Sequence, residues 1–138
     1  MEAVRKLLAD CRTASILEIG PGWGNYTMEL AKLCDRMTCV DISPEVLSYI
    51  DQTAREQEIR HVTGVCSKWE TFSSAERYDV VFGYNCFYRM RSLEECFRKM
   101  NETAEKICIA GMNMGFMPPY YMEMKRELGC RLTYGKRT

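Results

Sequence analysis

Residues 15–27 read SILEIGPGWGNYT, and this stretch decides the fold. A short apolar run, SILEIG (15–20), passes directly into Gly20-Pro21-Gly22-Trp23-Gly24. An apolar run of that length between turn residues is a buried strand, and three glycines in five residues make a tight turn that a ligand can approach closely. Leu30, Ala31, Leu33 and Cys34 then recur at helical spacing, so the turn opens a helix whose first N–H groups have no partner of their own. Something polar belongs on this turn.

The same alternation continues along the chain. Apolar runs rich in Val, Ile or Cys recur at RMTCVD (36–41), IRHVTGV (59–65), YDVVFG (78–83) and KICIAGM (106–112). Val46, Leu47, Ile50 and Ala54 line one helix face, and Leu93, Cys96, Phe97 and Met100 another. Ser43 is placed to cap the first of these, with Pro44 at the opening position and Glu45 in the first turn. Ser92 and Glu95 form a capping-box pattern at the start of the second. Pro118-Pro119 open a last helix that Gly129 closes, whereas CSKWETFSSAER (66–77) is the least regular segment, with room for one short helix only. Strands alternating with helices imply right-handed crossovers, and so an α/β, doubly wound, mostly parallel sheet with helices on both faces.

Composition narrows the classes. The chain has 138 residues, 46% hydrophobic and 28% charged, which suits one globular domain over 1–138 and excludes a disordered one. Nineteen basic residues balance nineteen acidic ones, so net charge gives no reason to expect nucleic acid as a partner. No apolar run approaches the ~20 residues of a membrane span, and the first residues, MEAVRKLLADC, hold no uninterrupted apolar segment. The expectation is a cytoplasmic protein without a membrane partner. Eight scattered cysteines with no C-x-x-C pair and a single histidine read as reduced thiols, mostly in the core, with no metal site.

Asp41, seventeen residues after Gly24, ends the second strand where a carboxylate can accept hydrogen bonds from ribose hydroxyls. Strand, glycine turn, helix, strand and terminal Asp make a nucleoside-binding half-site. A dinucleotide fingerprint, G-x-G-x-x-G/A, would place a third small residue where this chain has Asn25. The spacing is E-x-G-x-G-x-G, with Glu18 inside the strand's end. LEIGPGWGNYT followed by VDISPEVL resembles the class I S-adenosylmethionine-dependent methyltransferases, over about residues 15–112.

That resemblance implies S-adenosyl-L-methionine as cofactor, with S-adenosyl-L-homocysteine as product. It implies that Glu18, Gly20, Pro21 and Gly22 surround the methionine moiety, Glu18 acting on the cationic amino group directly or through water. Asp41 would hold the ribose hydroxyls, with Ile42 beside the adenine. Many relatives end the third strand in Gly-Asp, but here the stretch is Gly64-Val65-Cys66-Ser67, so that contact is either absent or replaced by Ser67 or a backbone group near Cys66, and Trp69 is either an adenine wall or ordinary core.

The fourth strand starts at Asp79 and runs into Tyr84-Asn85-Cys86-Phe87-Tyr88-Arg89. Open α/β sheets bind ligands beyond the carboxyl ends of their strands, so Tyr84, Asn85, Phe87, Tyr88 and Arg89 are expected to face cofactor or acceptor. Tyr84 counts towards the cofactor; Tyr84, Asn85, Tyr88 and Arg89 are candidates for orienting the acceptor. Tyr120 and Tyr121 would add a lid or wall, and Met112, Met114 and Met117 an adaptable apolar surface. Met117-Pro118-Pro119-Tyr120 lacks the leading Asn of the N-P-P-Y motif and follows the fifth strand, so it is set aside. His61, the only histidine, lies near the start of the third strand, far from the expected site, and is not expected to be catalytic.

The reading is methyl transfer from the sulfonium to a small-molecule acceptor, in which alignment and water exclusion supply most of the rate and no dedicated base is needed. The rivals are a non-catalytic binding or assembly module of the same fold and, with less support, a nicotinamide-dependent oxidoreductase. The family sheet has seven strands, and after the fifth only one helix and CRLTYGKRT remain. The expectation is therefore that the C-terminal strand pair is incomplete, that the chain is a truncated form, or that a partner, a second copy included, covers the fifth strand's edge.

Overall fold

The computed structural model describes residues 1–112. A first helix, α1 (Glu2–Asp10), precedes β1 (Ser15–Ile19), α2 (Thr27–Ala31), β2 (Arg36–Asp41), α3 (Pro44–Glu56), β3 (Val62–Cys66), β4 (Tyr78–Tyr84), α4 (Leu93–Thr103) and β5 (Ala104–Gly111). The strands form one parallel sheet in the order β3-β2-β1-β4-β5. The chain reverses its direction of travel between β1 and β4, and that is where an open α/β sheet leaves a crevice above its carboxyl ends. All five strands were legible in the apolar runs.

Strand parity divides the core. Ile16, Met37, Cys39, Val80 and Phe82 point to the face covered by α1, α2 and α3, where Leu8, Leu30, Ala31, Ile50 and Ala54 meet them. Leu17, Ile19, Val40 and Val81 point to the other face, under Trp69, Phe72, Phe87 and the α4 residues Phe97 and Met100. The two predicted caps form: Ser43 Oγ accepts from Val46 N at 3.3 Å, and Ser92 Oγ from Glu95 N at 3.2 Å. Each cap satisfies one of the N–H groups that a helix start leaves open.

Three features depart from the sequence reading. Helix α1 was not predicted, although Val4 and Leu8 pack into the core from it. Helix α2 has only five residues, so Leu33 and Cys34 lie beyond its end, Leu33 in a turn. Residues 67–77 form turns with no helix; they are held instead by Lys99, whose ammonium donates to the carbonyls of Trp69 and Phe72 and sits 4.8 Å from the Trp69 ring centre. The Pro118–Gly129 helix, Tyr120, Tyr121, Met114 and Met117 lie outside the described residues, while Met112 is half-buried against the α4-side core.

Among the described residues β5 is an edge strand, and Ile107, Cys108, Ile109 and Ala110 are half-buried. The seven cysteines described are free thiols. Burial pushes the thiol of Cys34 up to about 11 and that of Cys96 up to about 12, so neither supplies a thiolate near neutrality. No helix among the described residues is long and apolar enough to cross a membrane.

Candidate active site

The backbone of the first turn is what the glycines allow. Gly20, Gly22 and Gly24 have φ of +57°, +55° and +76°, in the left-handed region that other residues enter only with strain. At Gly20 space is also limiting, because a Cβ there would stand 2.6 Å from the Cβ of Cys86 on the loop after β4. Gly20 N donates to Val40 O at 2.8 Å, tying the turn to β2. At Gly22 a Cβ would meet nothing within 4 Å; the surface there is bare backbone open to the cavity above it.

That cavity has a volume of about 500 Å³ and lies above the carboxyl ends of β1, β2 and β4. Its size is in the range of small-molecule and cofactor sites. Ile19, Gly20 and Gly22 line it from β1 and the turn, and Val40, Asp41 and Ile42 from the end of β2. Ser67, Lys68, Trp69 and Glu70 line it from the connection after β3, and residues 85, 86 and 88–91 from the connection after β4. Asp41 is only half-buried; one carboxylate oxygen accepts from Ser43 N at 2.9 Å and fixes the side chain at the cavity wall. Ile42 is 59% exposed, an apolar surface beside that carboxylate.

Trp69 belongs to both readings given for it. It is buried, stacked on Phe72 at 5.8 Å, and its Nε1 donates to Cys96 O at 3.3 Å, yet part of it lines the cavity. Asn85 has φ +54°, its N donates to Gly111 O at 2.9 Å, and its Oδ1 accepts from the Tyr88 hydroxyl at 3.0 Å. This left-handed residue ends β4 and turns Asn85, Tyr88 and Arg89 onto the cavity.

Several expected residues stand elsewhere. Phe87 is 2% exposed and packs edge-on against Phe97 at 5.1 Å, in core space that Gly83 leaves open. Tyr84 shares the parity of Val80 and Phe82, lies on the α1–α3 face against Tyr26 and over Gly111, and does not line the cavity. Pro21 and Cys66 are also absent from the cavity wall; Pro21 O accepts from Gly24 N, and Cys66 donates weakly to Ile42 O. Glu18 is 2% exposed beneath the turn, on the α2 side, where Thr27 Oγ1 donates to it at 2.7 Å and the Cys39 thiol lies at 3.9 Å. Burial pushes its carboxyl up to about 7, with the two hydrogen bonds opposing and nearby Asp41 adding to the rise.

The residues outside the site also have an account. His61 Nε2 lies 2.6 Å from Ala31 O, a link between the start of β3 and the end of α2, away from the cavity. Asp79 accepts from Ala14 N at 2.7 Å and pairs with Lys106; the backbone bond holds its carboxyl below the usual range at the amino end of β4. The sequence reading missed Lys68, Glu70, Met90 and Arg91 as cavity residues. Their adjacency to Ser67, Trp69 and Arg89 was the available signal.

A left-handed glycine turn, a carboxylate at the end of β2 and exposed apolar surface beside it border one cavity of about 500 Å³ at the sheet's reversal, which is where open α/β sheets bind ligands. Comparison with known proteins agrees. Residues 16–106 match the family described as a methyltransferase domain. Nodulation protein S of Bradyrhizobium diazoefficiens is 32% identical over 95 residues, 68% of this chain and 44% of that protein. Its counterpart from Rhizobium tropici is 34% identical over 89 residues, 64% of this chain and 36% of that protein. Among solved structures, coclaurine N-methyltransferase bound to N-methylheliamine and S-adenosylhomocysteine superposes with a TM-score of 0.66 at 27% identity, covering 79% of this chain and 34% of that one.

The chain belongs to the class I S-adenosylmethionine-dependent methyltransferase family. It spans less than half the length of the curated relatives it matches.

Proposed function

We propose that the chain carries the cofactor half of an enzyme that methylates a small molecule with S-adenosylmethionine as donor. The observation that carries this reading is that the left-handed glycine turn and Asp41 line one cavity at the sheet's reversal point. The small molecule N-methylheliamine bound to the similar coclaurine N-methyltransferase supports a small acceptor.

Gly20 and Gly22 bring bare backbone to the cofactor's tail, and the free oxygen of Asp41 accepts from the ribose hydroxyls. Ile42 and Trp69 offer apolar surface to the adenine, with the Ser67 hydroxyl at its rim. Glu18, below the turn, supplies negative charge when a cationic amino group above it favours the ionised carboxyl. When bound, the cofactor supplies a methyl group on an activated sulfonium leaving group. The chain's task is then alignment: Asn85 and Tyr88, hydrogen-bonded to each other at the end of β4, orient the acceptor.

Calorimetric titration with S-adenosylmethionine and with NAD tests the assignment. S-adenosylmethionine should bind well below millimolar and NAD should not. Binding of NAD alone, or of neither, would overturn it. Saturable binding with no methyl transferred to any acceptor class would favour a binding or assembly module of the same fold.

A further inference from the structure

Seven of the fourteen lysine and arginine side chains described hold an ion pair, and Lys99 is bound to carbonyls. Of the six without an ion pair among the described residues, Lys6, Arg12 and Arg60 lie elsewhere. The other three, Lys68, Arg89 and Arg91, all line the cavity. In a chain whose net charge is zero, this is a local excess of positive charge.

The acids on the same wall offset it only in part. Asp41 sits at the end of β2, committed on one oxygen to Ser43 N and, in the proposed function, to the ribose on the other. Glu70 also lines the cavity, so three cations stand against two carboxylates on this wall, an excess of one positive charge. The three cations are exposed on two connections, after β3 and after β4, that come together over one opening. Arg89 and Arg91 flank Met90 in sequence, and all three residues line the cavity. Guanidinium groups recognise carboxylates and phosphates in two-pronged fashion, and Arg89 and Arg91 hold no ion pair among the described residues that would occupy them.

From this geometry we infer that the methyl acceptor carries an anionic group, a carboxylate or a phosphate, held by Arg89 and Arg91, with Lys68 adding to the positive charge of the same cavity. The inference rests on the proposed function and names the substrate class of the same site. A donor with a sulfonium and an ammonium against one carboxylate is net positive, so its presence adds to the preference for an anionic acceptor. The apolar side chain of Met90 suits an acceptor whose anionic group is attached to an apolar or aromatic body.

The test uses the full chain saturated with S-adenosylhomocysteine, titrated by NMR or calorimetry with benzoate and with its neutral isostere benzamide. Benzoate should bind about tenfold tighter than benzamide, and the advantage should shrink as salt rises. In the double variant Arg89→Gln/Arg91→Gln the two probes should bind alike, while affinity for S-adenosylhomocysteine stays within about threefold of wild type. Equal binding of the two probes to the wild-type complex, or no binding of benzoate, overturns the anionic acceptor. So does a loss of S-adenosylhomocysteine affinity in the double variant, which would assign the arginines to the cofactor's own carboxylate. A phosphate monoester, phenyl phosphate, binding tighter than benzoate and losing that advantage in the double variant would specify phosphate within the class. Failure of the wild-type chain to bind S-adenosylhomocysteine is a different result and would overturn the proposed function itself.

Discussion

The cavity has two unlike halves. One, from β1 through the start of α3, is made of backbone: a left-handed glycine turn, a strand end and a capped helix. The other, from the connections after β3 and β4, is made of side chains on irregular segments that α4 and the core hold in place. Backbone geometry constrains which residues can occupy a position, so the first half leaves a pattern in sequence. Side chains on loops do not, because any polar or aromatic residue can stand there if something else fixes the loop.

The sharpest way to break the first half is at Gly20. Gly20→Ala adds left-handed strain of roughly 1–2 kcal/mol and a Cβ at 2.6 Å from Cys86 Cβ, which one of the two loops must move to relieve. Thermal denaturation should show it as the most destabilising of these variants, by about 3 kcal/mol or more. Cys86→Gly should recover the steric part and leave the strain. Gly22→Ala, with open space above it, should cost only the strain, roughly 1–2 kcal/mol, while filling cofactor space and weakening S-adenosylhomocysteine.

Glu18 gives that half a pH signature. Its carboxyl stands near 4.5 in the unfolded chain and about 7 in the fold. Below 4.5 both states are protonated; between 4.5 and 7 the folded state keeps a proton that the unfolded chain has lost. Glu18's contribution is therefore present at low pH and lost as pH rises through about 7, by up to about 3 kcal/mol. Glu18→Gln should flatten that part of the stability profile. A profile unchanged by the substitution would place the carboxyl in water instead.

The second half should break through its scaffold. Lys99→Met removes the donor to Trp69 O and Phe72 O while keeping apolar bulk, so the connection should loosen at a cost of about 1–2 kcal/mol. In a Trp23→Phe background Trp69 is the reporter, and its emission should shift to the red with weaker quenching by S-adenosylhomocysteine. Unshifted emission would mean that Cys96 O alone holds the ring. His61→Ala, the smallest expected change, should lose about 1 kcal/mol or less and leave cofactor binding alone.

What was legible follows the same division. The five strands, α3, α4 and both serine caps were written in periodicity and capping residues. Asp41 and the glycines were legible because their spacing is dictated by a turn. Tyr84 and Phe87, expected at the site from their strand-end position, do not line the cavity, because parity with Phe82 and the space over Gly83 direct the two rings elsewhere. Arg91 and Lys68 left no signal beyond their adjacency to expected site residues, since their position depends on loops that Asn85's left-handed backbone and Lys99 arrange. Helix α1 was missed because Leu8 is its single fully buried residue.

The central claim is that the cofactor sits between the glycine turn and the end of β2, and not over the amino end of β3. Titration of S-adenosylhomocysteine into wild type, Asp41→Ala and His61→Ala tests it directly. The account predicts a loss of about tenfold or more in affinity for Asp41→Ala, after folding is checked by circular dichroism, and none for His61→Ala. Retained affinity in Asp41→Ala together with loss in His61→Ala would contradict it.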